Sequence, residues 1–272
     1  MSPSPHFVRT RLAVIDLDGT LLGPDKRISP ENLNALGRLR DAGFETAFAS
    51  GRHHRNIVRY EPELGAMSWV ISASGAVVRH AATGELMHEL TMVEADALDL
   101  CTAARDANLA IILYHRDGVF MDGESEATRV YASRAGWNPQ LGSVTHLAAT
   151  GIQKVMLSES AEIMRKAGLE IERAFATRFY SVWTEEDLVE FLSPQANKAI
   201  GTQALAKALG IEQADVVAFG DGNNDAEVLA WAGFSVAMAH GQKGALKAAR
   251  TITPPGPPET AFARAVGMVL AS

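Results

Sequence analysis

The chain has 272 residues, 47% of them hydrophobic, with 25 lysines and arginines against 32 acids and a formal net charge of −7. That length and composition suit one large domain or two modest ones. The basic residues are scattered, which argues against a nucleic-acid partner, because phosphate backbones demand concentrated Lys and Arg. No run approaches the roughly 18 apolar residues that a membrane span needs. The opening MSPSPHFVRTR has no apolar h-region, so no signal peptide is expected. Cys101 is the only cysteine, which excludes an internal disulfide and fits a reducing compartment. Its setting, DALDLCTAAR, reads as a helix and Cys101 as a small core residue. A cytoplasmic protein is the expectation.

Residues 11–17 (RLAVIDL) read as a first buried strand. Ser29 and Pro30 form a helix start, a capping hydroxyl followed by proline at the first helical position. Leu33, Leu36 and Leu39 supply an apolar stripe, and Gly43 ends the helix. FETAFA is the second strand, SGR and a short helix follow, and WVISAS is the third strand. This alternation predicts a parallel sheet. The rhythm changes near residue 80, where RHAATGELMHEL reads as a hairpin with Thr83 and Gly84 at its tip. A helix over 94–108, a second hairpin from AIILYH and GVFMDG, then IQKVMLS, AEIMRKAGLEIERAF and FYSVWT continue as strand, helix, strand. From Asn197 the first rhythm returns: a helix to Leu209, the strand VVAFG, a helix and the strand FSVAM. The expectation is an α/β protein with a Rossmann-like core made of residues 1–81 and 189–272, and an inserted α+β domain of 82–188. TPPGPPE is a surface connection. After it, Phe262, Val266, Val269 and Leu270 fall on one side of a terminal helix.

In parallel α/β sheets, ligands bind beyond the carboxyl ends of the strands. Polar features stand there: Asp16 and Asp18 after the first strand, Ser50 after the second, Lys198 at a helix start, and GDGNND after VVAF. Asp16, Asp18, Asp221 and Asp225 gathered at one edge could not all stay ionised unaided. A divalent cation resolves that conflict. The candidate ligands are all oxygens, with no His or Cys at metal spacing, which suggests Mg²⁺. Lys198 can neutralise an oxyanion, and Ser50 offers a hydroxyl and an N–H at a helix start. Gly19, Gly51 and Gly222 let the backbone approach a ligand. Singly, each feature is bland, since Asp-Gly and Ser-Gly are ordinary turn residues and most lysines are solvated. Together they describe a phosphoryl pocket, where positioning and charge neutralisation do most of the catalysis.

These motifs resemble those of the haloacid dehalogenase (HAD) superfamily of phosphotransferases: DLDGT its first, ASGR its second, Lys198 its third and GDGNND its fourth. The insertion between the second and third motifs, and VISASGAVV followed by a hairpin, resemble the Cof-type branch, subfamily IIB, whose α/β cap occupies that place. The resemblance spans essentially the whole chain. It implies that Asp16 is a nucleophile forming an aspartyl-phosphate. It also implies that Asp18 is first a general acid and then a base. An aspartate with its ordinary pKa of ~3.9 is a poor acid at neutral pH, so the local field must raise it. The same resemblance implies Mg²⁺ held by the Asp16 carboxylate, the Asp18 backbone carbonyl and Asp221, with Asn224 or Asp225 close by or acting through water. It gives Ser50, Gly51 and Lys198, with Asp18 and Gly19, to the phosphoryl group. Lys198 also steadies Asp16, and Arg52 reaches the substrate or braces the loop.

Two positions depart from the branch. Ser74 replaces an asparagine that faces the substrate side, and Ala199 follows the third-motif lysine where glycine is common, with Gly201 two residues later. His53 and His54 could contact an anionic substrate, but read more readily as exposed or capping helix residues. His115, Arg116 and Asp117 read as a hairpin turn and as candidates to close over the leaving group. Trp137, Trp183 and Trp231 read as packing residues. The implied activity is a Mg²⁺-dependent phosphatase, monomeric or homodimeric, acting on a small phosphorylated metabolite, with a sugar phosphate foremost. A phosphomutase or phosphotransferase using the same aspartate is one rival. A phospho-aspartate binding module is another, and the DxD spacing and the size of the insertion argue against it.

Overall fold

The computed structural model describes residues 11–65 and 67–271, so the reading of residues 1–10 as free of a signal peptide lies outside the described residues. Two sheets organise the chain. The strands of the first are β1 Arg11–Asp16, β2 Phe44–Ala49, β3 Trp69–Ser72, β4 Val77–His80 and β5 Leu86–Glu89, joined late in the chain by β12 Val216–Gly220, β13 Phe234–Ala237 and β14 Thr251–Ile252. The second sheet holds β6 Ala110–His115, β7 Gly118–Met121, β8 Gln140–Leu141, β9 Ile152–Ser158, β10 Tyr180–Glu185 and β11 Leu188–Leu192.

The first sheet runs β14-β13-β12-β1-β2-β3-β4-β5. From β14 to β3 all neighbours are parallel, and β4 and β5 close the edge as an antiparallel hairpin. β1 sits at the centre, and every residue from Leu12 to Asp16 is buried. A strand covered on both faces needs the near-continuous apolar run that LAVI supplies. The chain leaves β1 in one direction through β2 and β3, and returns on its other side through β12. The switch between β1 and β12 therefore opens a crevice at their carboxyl ends. Register aligns Ile15 with Phe219 and Asp16 with Ala49, so the first, second and fourth motifs emerge at the same edge.

Helix Pro30–Asp41 starts where Ser29 accepts from the Asn32 amide. Asn32 is buried; it donates to the Leu21 carbonyl at 2.9 Å and accepts from Ala263 N at 3.0 Å. One amide side chain thus ties the loop after β1 to the terminal helix Ala261–Leu270. That helix buries Phe262, Val266 and Val269, with the Phe262 ring 5.2 Å from that of Phe219.

The second sheet runs β10-β11-β9-β6-β7-β8. Helix Glu94–Asp106 covers it with Leu100 and Cys101, and burial pushes the Cys101 thiol up to about 12, which leaves it protonated and inert. Residues 161–175 form one helical run with a π turn at Met164–Gly168. A separate apolar group, Ala73, Val77, Tyr114, Met156 and Leu192 among its members, joins the two sheets. Among the described residues, no helix is long and apolar enough to cross a membrane.

Near each expected boundary one strand pairs with the sheet on the other side of it. β5, assigned above to the insertion, pairs with β4 and extends the first sheet. β11, expected at the return to the core, pairs with β9 and β10 in the second. Alternation marks a hairpin but does not say which sheet it extends.

Candidate active site

The acids after β1 and β12 converge. Oxygens of Asp16, Asp221 and Asp225 all lie within 4.8 Å of one another. Lys198, 1% exposed, places Nζ 2.6 Å from Asp16 Oδ1 and 2.5 Å from Asp225 Oδ1. Asp225 Oδ2 accepts from the amides of Asp221 and Gly222 at 3.0 and 2.8 Å, so this acid shapes its own loop. Thr20 donates to Asp221 Oδ1 at 3.0 Å. Gly19 lies at φ +85°, and a Cβ there would fall 2.3 Å from Asp221 Oδ2, so glycine permits the approach of the two loops.

Burial, then the charges of Asp225 and Asp221, drive the Asp16 carboxyl well above its ordinary range against the pull of Lys198. Burial and Asp225 raise Asp221 as well. Burial disfavours the Lys198 ammonium, but Asp16 and Asp225 more than offset this and hold it charged. Asp16 Oδ2 is buried with no hydrogen-bond partner among the described residues. An orphaned carboxylate oxygen among excess negative charge, with oxygen donors only, fits a hard divalent cation.

Asp18 departs from expectation. Its carboxylate takes the fork of Arg52 at 2.7 and 2.6 Å and Lys26 at 2.9 Å. Burial alone would lift its pKa, but these cations bring it down to about 2. The field at Asp18 thus lowers the pKa that an acid role requires to be raised. Of the four acids expected in one cluster, three come together and the fourth is paired elsewhere in the same cleft. Arg52 braces Asp18 and touches the Tyr60 hydroxyl at 3.4 Å.

Ser50 is buried beyond β2; its N–H donates to Ile71 O at 2.8 Å and its Oγ accepts from Arg52 N at 3.2 Å. Ser50, Gly51, Asp16, Asp18, Gly19 and Asn224 line a cleft of about 720 Å³. Ser74 is not on that surface. It is buried at φ +55°, and its hydroxyl lies beneath Gly51 without a partner among the described residues. Its neighbour Gly75, at φ +98°, leaves no room for a Cβ, which would sit 2.0 Å from Asn197 O. The Ser74–Gly75 pair therefore packs against the start of helix Lys198–Leu209, where Asn197 caps Ile200 N at 2.9 Å, and so locates Lys198. Gly201 approaches the Gly75 carbonyl, a contact that the Ala199 departure leaves intact.

His53 caps helix His54–Val58 through Nδ1, and its Nε2–H donates to the His115 carbonyl at 2.9 Å. The turn His115, Arg116 and Asp117 does not line the cleft; it docks beside His53, because His115 is buried and its carbonyl is taken. Trp137 and Trp231 pack among apolar side chains. Trp183 does more than pack: its indole N–H donates to Glu172 at 2.9 Å while the residue lines the cleft. The paired hydroxyls of Tyr114 and Tyr131, Glu190 and the buried Lys154 went unnoticed in the sequence. A lysine amid the otherwise largely apolar strand IQKVMLS was the one signal for Lys154.

A family model for haloacid dehalogenase-like hydrolases matches residues 13–259. The chain belongs to this family. An HMP-PP phosphatase of Serratia proteamaculans is 30% identical over 232 residues, covering 85% of this chain and 84% of that protein. An HMP-PP phosphatase of Cronobacter sakazakii is 28% identical over 230 residues, with 85% and 84% covered. Among solved structures, a haloacid dehalogenase-like hydrolase from Bacteroides thetaiotaomicron superposes with a TM-score of 0.84 at 24% identity, covering 96% of this chain and 100% of that one. A subclass IIB sugar phosphatase of the superfamily gives 0.83 at 17% identity, with 96% and 100% covered. The fold is the subclass IIB fold, and the chain is a HAD-type phosphoric monoester hydrolase.

Proposed function

We propose that this HAD phosphatase hydrolyses a small phosphorylated metabolite through an aspartyl-phosphate on Asp16, with Mg²⁺ as cofactor. The first-sheet unit acts as the catalytic core and the second as its cap. The observation that carries the reading is the Asp16 carboxylate, buried at the switch of the sheet, gripped by Lys198 on one oxygen and unpartnered on the other.

Asp16, Asp221 and the Asp18 carbonyl would hold the cation, with Asn224 and Asp225 close by. Bound there, Mg²⁺ offsets the charge of the carboxylates and of the phosphoryl oxygens. Lys198, the Ser50 hydroxyl and the Gly51 amide orient the phosphoryl group, whereas the Gly19 amide is given to the Leu22 carbonyl at 3.2 Å. An Asp16 oxygen attacks phosphorus, the ester P–O bond breaks, and Asp18 gives its proton to the leaving oxygen. Asp18 then takes a proton from water, the water oxygen attacks phosphorus, and the Asp16–phosphorus bond breaks to release phosphate. Asp18, its pKa held down by Arg52 and Lys26, stands ready for the second step as a carboxylate. The first step needs a phosphoryl dianion to draw those cations away and raise its pKa.

The leaving-group side of the cleft offers Tyr131 and Trp183 rings beside the carboxylates of Glu185 and Glu190. That wall suits a leaving group with a flat or apolar face and hydrogen-bond donors. Both HMP-PP, named for the relatives, and a sugar phosphate belong in the test. A panel with Mg²⁺, ranked by kcat/KM with free phosphate as product, tests the proposal. An isomeric sugar phosphate as product would make the enzyme a mutase, and a single phosphorylation without turnover would make it a binding module.

A further inference from the structure

Lys154 is fully buried, and no step above uses it. Its strand β9 lies between β11 and β6 in the second sheet, yet its ammonium reaches the first-sheet unit. Nζ donates to the Gly51 carbonyl at 2.6 Å and to Glu190 Oε2 at 2.9 Å, and lies 4.5 Å from the Tyr114 ring centroid. A buried ammonium is tolerated only with such partners. The carbonyl it grips belongs to the loop that presents Ser50.

Peptide planarity gives this contact a consequence. In a trans peptide the C=O and the following N–H point in opposite directions, and the chain contains no cis bond among the described residues. Holding the Gly51 oxygen therefore sets the direction of the Arg52 N–H, which donates to Ser50 Oγ. The neighbouring carbonyls are held from the first-sheet side: Ser50 O by Ser74 N at 3.1 Å, and Arg52 O by Ala73 N at 2.9 Å. The Gly51 carbonyl is instead held from the second sheet. Its holder is paired with Glu190, which lines the leaving-group wall of the cleft.

We infer that Lys154 is a positioning residue through which docking of the second sheet sets the aim of the Ser50 hydroxyl. The kinetic consequence rests on the phosphatase reading; the structural one does not. The test compares the full chain with Lys154→Met and with Lys154→Met/Glu190→Gln, the second variant removing the carboxylate that the first leaves unpaired. Turnover of p-nitrophenyl phosphate with Mg²⁺ and amide hydrogen exchange are read together. In both variants kcat should fall about 10- to 100-fold with KM within about threefold, because a misaimed group is felt in the transition state. Exchange at residues 51–53 should rise about tenfold with β1 and β12 unchanged. Wild-type kcat and wild-type exchange in the folded double variant would overturn the inference. So would a rise in exchange spread evenly over the chain, which marks lost stability only. If the wild type fails to turn over p-nitrophenyl phosphate, the phosphatase reading falls and the exchange pattern decides the role of Lys154.

Discussion

Asp16 and Asp18 stand two residues apart on one loop, yet their surroundings oppose each other. Around Asp16, burial and two further carboxylates outweigh a single ammonium, and its pKa is driven up. Around Asp18, a guanidinium fork and a second ammonium outweigh burial, and its pKa is brought down to about 2. Carboxylates pushed apart in this way take different tasks. Asp16 lies where added positive charge is wanted, from a cation or an electrophilic phosphorus. Asp18 already has its positive charge, and can move a proton only when an incoming anion competes for Arg52 and Lys26.

Neutralising each acid separates the two environments. Asp16→Asn removes the proposed nucleophile, and kcat should fall at least about 10⁴-fold. Lys198 keeps Asp225 as its partner, so a buried net charge disappears and Tm should hold or rise. Asp18→Asn should lower kcat about 10²- to 10³-fold by removing the proton carrier. It also strands Arg52 and Lys26, so Tm should drop, by about 1 kcal/mol of stability once solvent at this partly exposed pair is allowed for. A depressed carboxyl pKa adds stability above its unfolded value, lost as pH falls through the folded one, so this gap should close between about pH 4 and pH 2. Equal Tm changes of the same sign would break the comparison; so would near-normal turnover of Asp16→Asn.

Metal should act on one side of the comparison only. EDTA should inactivate the enzyme and Mg²⁺ restore it. Mg²⁺ at 100 times its Kd should add about 2.7 kcal/mol to wild-type stability and little to Asp16→Asn, whereas Asp18→Asn, which keeps its backbone carbonyl, should retain most of the gain. Melting curves with and without Mg²⁺ decide this. A full response in Asp16→Asn would show the cation to be held elsewhere.

Much of this was legible in the sequence, because the first, second and fourth motifs each follow a strand immediately. LAVI predicts a buried β1, so Asp16 must surface at its carboxyl end, and VVAFG does the same for Asp221 and Asp225. Backbone direction carried those residues to one edge without knowledge of tertiary contacts. Contacts across long separations stayed hidden. Nothing local in DLDGT says that Arg52 folds back on Asp18, and nothing in SASG says that Ser74 turns beneath Gly51. Lys154 pairs with Gly51 across 103 positions, and only the oddity of a lysine in a core strand hinted at it. The partners of β5 and β11 stayed hidden for the same reason: their pairing is settled by neighbours, not by alternation.

A last test, read on stability alone, comes from His53, which extends the comparison to a group whose charge is suppressed by burial, where that of Asp18 is upheld by ion pairs. Burial lowers its pKa to about 4, the hydrogen bond to the His115 carbonyl offsetting this only in part and the nearby charges of His54, Arg55 and Lys154 adding to it. The unfolded chain takes up this proton near pH 6.5, and the folded chain only near 4. Stability should therefore be full above about pH 6.5 and fall as pH drops toward 4, by up to about 3 kcal/mol. This is the opposite cause to Asp18, whose loss begins only below pH 4. His53→Asn can still accept from Arg55 N as a cap but carries no proton. Its Tm should fall less steeply between pH 7 and 4.5 than that of the wild type, and parallel curves would mean that protonation of another group sets the acid limit of the fold.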